Sequence, residues 1–185
     1  MDTEELLRRY QVGVRNFRRV DLARVILRNT NLAKIDFSQA ILTEADFTGA
    51  NLEEAIFYQA TLDLSNLSQA RLTRGDLRSA SLQSALLYKA SLNKAQLQKA
   101  NLSQAILKRT FLRNADLSQA ILIEANLSQA NLIGVNLTGA DLTGANLDKT
   151  FLQEANLFQA CLEGIDLKQT MLTGAIMPDG SVYHN

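Results

Sequence analysis

Every fifth residue from Phe17 to Leu172 is Leu or Phe, with no exception in 32 positions. Two places before the next of these central residues stands a second inward candidate. Ala fills 21 of its 32 places from Val20 to Ala175, and Val, Ile, Thr, Ser or Gly fills the rest. A period of five fits neither regular element. On an α-helix each residue advances by about 100°, so groups five apart fall about 140° round from one another and form no stripe. In a strand the Ala and the Leu two places on share a face, but the next Ala, three further on, faces the other way. The chain must turn once per repeat. Short extended steps that turn each time, with both residues kept inside, wind into an all-β solenoid.

The same spacing argues the size of one circuit. Phe17, Phe37 and Phe57 recur at intervals of twenty, and Thr30, Thr110, Thr150 and Thr170 differ by multiples of twenty. Four repeats per circuit stack these residues in columns, whereas a three-sided circuit scatters them. The expectation is a quadrilateral β-helix of about eight coils of twenty residues, roughly 40 Å long at about 4.8 Å per coil. Residues 1–14 are expected to form a helical cap, 15–175 the coil, and 176–185 a turn and tail. Asp2 or Thr3 suits the N-cap of a helix over Glu4 to Gln11 that stops at Gly13, with Leu6, Leu7 and Tyr10 covering the first coil. Pro178-Asp179-Gly180 reads as a tight turn ahead of the tail.

Charge is balanced at 19 acidic and 19 basic residues, which gives no general attraction to nucleic acid or to an anionic membrane. Neither is expected as a direct partner. The opening residues lack the pattern of a secretory signal, and no stretch approaches the roughly 20 apolar residues that span a bilayer, so a cytoplasmic setting is expected. Cys161 is the one cysteine and has no internal disulfide partner.

Catalysis needs a nucleophile, base or metal set in a concave site, and an interior filled with Leu and Ala leaves no space for one. No catalytic residue, metal ligand or cofactor is expected. His184 is the single histidine. The Asp and Asn residues that precede central Leu or Phe residues, among them Asp21, Asp46, Asp76, Asp116, Asn126 and Asn136, read as turn-forming groups rather than paired carboxylates. Gly134, Gly139, Gly144, Gly164 and Gly174 share one register, where a turn requires φ above zero, and are not a phosphate loop.

Segments such as Ala50-Asn51-Leu52, Ala100-Asn101-Leu102-Ser103-Gln104, Ala115-Asp116-Leu117-Ser118-Gln119 and Ala140-Asp141-Leu142-Thr143-Gly144 resemble the A(D/N)LXX unit of the pentapeptide-repeat family. The opening and closing segments are most similar to those of cyanobacterial members. The resemblance implies a right-handed quadrilateral β-helix, commonly preceded by a short capping α-helix. It also brings in a second possible role, because some members resemble duplex DNA and inhibit type II topoisomerases, chiefly gyrase.

Function falls to the outward positions. Sorted by side, Asp21, Glu44, Asp63, Glu124, Asp141 and Glu163 face Arg24 alone on an acidic side, and the next side is mildly basic. Apolar residues outside the inward register mark contact surfaces. Leu86, Tyr88, Ile106 and Phe111 with Lys108 and Arg109 make one candidate patch, and Phe151, Phe158 and Met171 a second. The expected protein is a non-enzymatic interaction scaffold or regulator that meets an unidentified protein partner or a second copy. The alternative, a DNA-mimic inhibitor of gyrase, needs a dense anionic surface. A gap between Asp63 and Glu124 and a net charge of zero fit it poorly.

Overall fold

The structure, a computed structural model, describes residues 1–184; Asn185, the last residue of the expected tail, lies outside the described residues. One residue per repeat, the one just before the central Leu or Phe, pairs with its counterpart on the next circuit. Every parallel pairing joins residues twenty apart, from Asn16–Asp36 to Asn156–Ile176. Four repeats therefore close one circuit. Continuous strands, which an all-β reading anticipates, do not form among the described residues: each side contributes an isolated bridging residue. The reason is local, since the residues that follow each bridge are consumed by a turn.

The repeat centred on Leu87 shows where the backbone donors go. The Leu86 N–H reaches back one circuit to the Ser65 carbonyl at 2.9 Å, and the Leu87 N–H reaches forward to Ile106 at 2.8 Å. The Lys89 N–H reaches forward to Lys108 at 3.2 Å, and the Ala90 N–H closes the turn onto Leu87 at 3.0 Å. One donor per repeat remains, the N–H directly after the central residue. Where Asp or Asn precedes the central residue, its Oδ1 accepts that N–H, as Asn66 does from Ser68 and Asp46 from Thr48, both at 3.0 Å. All 17 Asp and Asn residues at this register do the same. The D/N of the repeat is thus a hydrogen-bonding cap of the turn.

From Arg19 to Gly174 the third residue of every turn but one takes a left-handed conformation, as a type II turn demands, the exception being Gln169 in the last full circuit. Among non-glycine residues φ there is 53–62°, at 25 positions from Arg19 to Gln159. Gly134, Gly139, Gly144, Gly164 and Gly174 take φ above zero at the same place. β-Branched side chains tolerate this region worst, and none occurs at this register between Arg19 and Gly174.

From Leu27 to Leu157 every central residue is buried. The expected Phe column is present, with ring centroids 6.1 Å apart for Phe17–Phe37 and 5.6 Å for Phe37–Phe57. Phe47 enters from the opposite side and lies 6.1 Å from both Phe37 and Phe57. The Thr residues at the small inward register find carbonyl acceptors: Thr110 Oγ1 donates to Leu107 of its own turn at 2.6 Å and Thr150 Oγ1 to Leu127 on the preceding circuit at 2.9 Å. Ser65 differs. Its Oγ is buried without a partner among the described residues. Ser65→Ala is therefore expected to raise stability by about 1–2 kcal/mol, because it removes a desolvated hydroxyl at a place where Ala already dominates. The urea midpoint checks this, and an unchanged or lower value would mean that the hydroxyl is satisfied.

The helix α1, Thr3–Gln11, lies over the first circuit, with the Asp2 side chain accepting the Glu5 N–H at 2.9 Å. Leu6 is buried, Tyr10 donates its hydroxyl to the Ala33 carbonyl at 2.8 Å, and Gly13 takes φ of 94°. At the far end Ile176 pairs antiparallel with Val182, and Asp179 accepts the Ser181 N–H within the intervening turn. One break interrupts the register. Asn146 bridges Asn126 but not Asp166, Leu162 and Leu167 are half-buried, and a cavity of about 370 Å³ opens between Gly144–Asp148 and Asp166 with Gln169.

Candidate interaction surface

Because the interior is filled, the outward columns carry whatever the molecule does. Leu86 and Ile106 bridge each other on adjacent circuits and remain 38% and 41% exposed. Tyr88 lies next to them, half-buried, with Lys89 Nζ 5.2 Å from its ring centroid. The Arg109 guanidinium, and after it the Lys89 charge, draw the Tyr88 phenol below its ordinary pKa. Lys108 is half-buried alongside, and Phe111 stands one step round the corner, 47% exposed. The structure places the six residues of the first patch next to one another.

Its cost is visible in the turns. Leu86 and Ile106 occupy the register at which Asp or Asn caps the turn, so the Tyr88 and Lys108 N–H groups have no partner among the described residues. A hydrogen bond of this kind is worth about 0.5–1.5 kcal/mol. The chain gives it up while holding aliphatic side chains in water.

The second patch divides. Phe151 and Met171 bridge each other, but Phe158 lies on the following side, where a methyl group added at Gly180 of the C-terminal turn would meet its ring. The six residues between Phe151 and Phe158 carry the chain round a corner, which separates neighbours in sequence. Phe151 and Met171 instead face Arg109, Gln129 and Lys149 across a shallow cavity of about 450 Å³. Lys149 and Gln129 thus join the two patches. Their spacing of twenty and forty from Arg109 was the available signal.

The acidic side is sparser than its sequence suggests. Glu44 receives Arg24 through two hydrogen bonds of 3.1 and 3.2 Å, and Asp63 accepts the Gln83 N–H at 2.9 Å. Glu124 accepts from Gln104 Nε2 at 2.9 Å. Asp21 and Asp141 cap turns, and the Thr143 hydroxyl, then its N–H, hold the Asp141 carboxyl below the ordinary carboxylate pKa. Between Asp63 and Glu124 the same side presents Ser81, Gln83, Ser84, Asn101, Ser103 and Gln104, all uncharged. Glu163 is exposed near the break in the last full circuit. No helix among the described residues is long and apolar enough to cross a membrane.

The pentapeptide-repeat model matches in 8 copies, over residues 16–53, 30–69, 40–78, 70–109, 112–148 and 152–179. The chain belongs to the pentapeptide-repeat family. Its members fold as right-handed quadrilateral β-helices and are generally non-enzymatic structural or interaction proteins. Among solved structures, HetL of the cyanobacterium Nostoc sp. strain PCC 7120, a pentapeptide-repeat protein involved in heterocyst differentiation regulation, is 34% identical. The match covers 99% of this chain and 100% of HetL, with a TM-score of 0.53. A trypsin-treated variant of QnrB1, a plasmid-mediated fluoroquinolone resistance protein, is 21% identical over 88% of this chain and 85% of its own, with a TM-score of 0.51, and shares the fold. Rfr23 of the cyanobacterium Cyanothece 51142 is 26% identical over 91% and 97%, with a TM-score of 0.36. A comparison with curated protein sequences finds no match.

Proposed function

We propose that this pentapeptide-repeat protein is a non-enzymatic, cytoplasmic interaction scaffold with a regulatory role, a rigid right-handed β-helix that presents a fixed patch to a protein partner or to a second copy. The observation that carries this reading is the replacement of turn-capping Asp or Asn by Leu86 and Ile106. Nothing in the interior needs those aliphatic groups, and the turns are weaker for them. Separation of a uniform inward register from irregular outward residues is how repeat proteins divide stability from recognition. Similarity over its whole length to HetL, a protein involved in heterocyst differentiation regulation, supports a regulatory role. The uncharged stretch on the acidic side and the Arg24–Glu44 pair weigh against imitation of DNA, which requires closely spaced negative charge.

The double variant Leu86→Asn/Ile106→Asn separates the two roles. Restored caps are expected to raise stability by about 0.5–1.5 kcal/mol per site, while the partner contact or self-association of the wild type is lost. Denaturant melts, light scattering and affinity capture from the native cell read these outcomes. Identical captured proteins and an identical oligomeric state in the variant would remove the patch from the protein's function.

A further inference from the structure

We propose that the corner between the sides of Leu107 and Leu112 docks an extended segment of a partner protein in which acidic and apolar residues alternate. This rests on the scaffold reading and specifies the partner's chemistry. Two columns flank the corner. Lys89, Arg109, Gln129 and Lys149 recur at twenty residues along one edge, all with φ above zero, and the Arg109 Nε donates to Gln129 Oε1 at 2.7 Å, which lays the guanidinium along the rod. Phe111, Asn131, Phe151 and Met171 form the other edge, each bridged to the next. The cavity that opens beside Arg109, Gln129, Lys149, Phe151 and Met171 runs between them.

Charge is segregated along the rod in a way that its zero total hides. Residues 64–115 hold nine Lys or Arg against Asp76 alone, in a chain of 19 and 19. Arg71 is taken by Glu53 and Arg78 by Asp76, but Lys89, Arg109 and the other cations of this stretch make no ion pair among the described residues. Lys149, next to Asp148 in sequence, makes none either. In the first circuits the same register stacks opposite charges, Arg24 on Glu44 at 3.1 Å and Lys34 on Glu54 at 3.6 Å. In the middle it stacks Lys89 next to Arg109 and Arg74 next to Lys94, on circuits about 4.8 Å apart. Like charges directly opposite one another are destabilising. A rod shaped for stability alone would alternate them, as the first circuits do, and an anionic occupant relieves the repulsion.

The second column decides what kind of anion. Phosphates would neutralise the cations and leave Phe111, Phe151 and Met171 wet. Asn131 interrupts the aromatic faces and Met171 ends them, so the column is no ladder for stacked bases. Aliphatic side chains between carboxylates cover both edges. Successive side chains of an extended chain point to opposite sides, so alternation sends acidic residues to the cation column and apolar ones to the other. Lys89 to Lys149 is three circuit steps, about 14 Å, the length of four or five extended residues.

The test uses a labelled peptide of about ten residues alternating Glu and Leu, read by fluorescence anisotropy against the full chain. Saturable binding is expected, weaker by roughly tenfold in Arg109→Glu/Lys149→Glu and by several-fold in Phe151→Ser, with Lys99→Glu, a basic position away from the corner, unchanged. A peptide of the same composition with Glu and Leu in separate blocks should bind roughly tenfold more weakly. Circular dichroism confirms that each variant is folded, and Arg109→Gln/Lys149→Gln replaces the charge-reversed pair if that does not fold. No saturable binding, equal affinity for the block peptide, an equal loss in Lys99→Glu, or displacement of the peptide by an equal concentration of oligothymidylate would each overturn the inference. If the cellular contact is lost in Leu86→Asn/Ile106→Asn but kept in Arg109→Glu/Lys149→Glu, the corner is wrong and the scaffold stands. If it is kept in both, neither reading survives.

Discussion

Phe37→Ala is expected to lower the stability of the folded chain by about 3–5 kcal/mol, at the upper end for a single core substitution. The ring is fully buried and touches three others, with centroids 5.6 Å from Phe57 and 6.1 Å from Phe17 and Phe47. Truncation leaves a void that the neighbours are poorly placed to fill, because each is tethered to its own circuit by backbone bonds to the circuits above and below. Circuits contact only their neighbours, so the loss is concentrated locally rather than shared along the rod. The guanidinium of Arg9 lies 5.4 Å from the Phe17 ring, which couples the capping helix to the same cluster. Urea unfolding measures the total. Hydrogen exchange locates it, with amides from Phe17 to Phe57 losing protection while those near Leu107 keep theirs. A loss below about 1 kcal/mol would mean that the circuits repack freely, contrary to close packing.

Much of this is legible in the sequence for a physical reason: a residue's column is its position modulo twenty. Phe17, Phe37 and Phe57 therefore announced their own stack, and the Thr residues announced theirs. Phe47 did not, since it differs from Phe37 and Phe57 by ten, two sides round, and what meets across an interior is not a periodicity. The type of residue before each central Leu or Phe was legible, but its necessity was not. That follows from the one N–H that neither neighbouring circuit can satisfy, which appears once the pairing of Leu86, Leu87 and Lys89 is known. The corner was legible only at Arg109 and Phe111, which share the first patch; its continuation escaped because sorting by side separates Lys149 from Phe151, which are adjacent only across an edge. Phe158 was grouped with Phe151 by proximity in sequence, which a corner defeats. The break at Asn146–Asp166 has no mark in the motif: Asp166 still caps its turn at 2.9 Å and Leu167 keeps the register.

A pair of deletions should produce the largest contrast the molecule allows. Removal of residues 60–79 takes out one circuit and joins Gln59 to Ala80, a turn residue to a small inward residue, as in every intact junction. Leu62, Leu67, Leu72 and Leu77 go with it, at about 1.5–3 kcal/mol of burial each, but so does the entropy of ordering the residues that carry them. The net change is expected to be a few kcal/mol at most, and the shortened chain should remain soluble and melt cooperatively. Removal of Ser68 alone shifts every later residue by one place. Inward Leu residues would then have to point to solvent, or one side would have to stretch across a missing residue and lose its bridge and its turn. Neither is tolerable against a total stability of about 5–15 kcal/mol. The single deletion is expected to abolish cooperative unfolding and drive aggregation, while the twenty-residue deletion does neither. Soluble expression and circular dichroism melts decide it. If the twenty-residue deletion collapsed and the one-residue deletion survived, the circuit would not be a closed unit of four repeats, because closure alone makes one residue harder to lose than twenty.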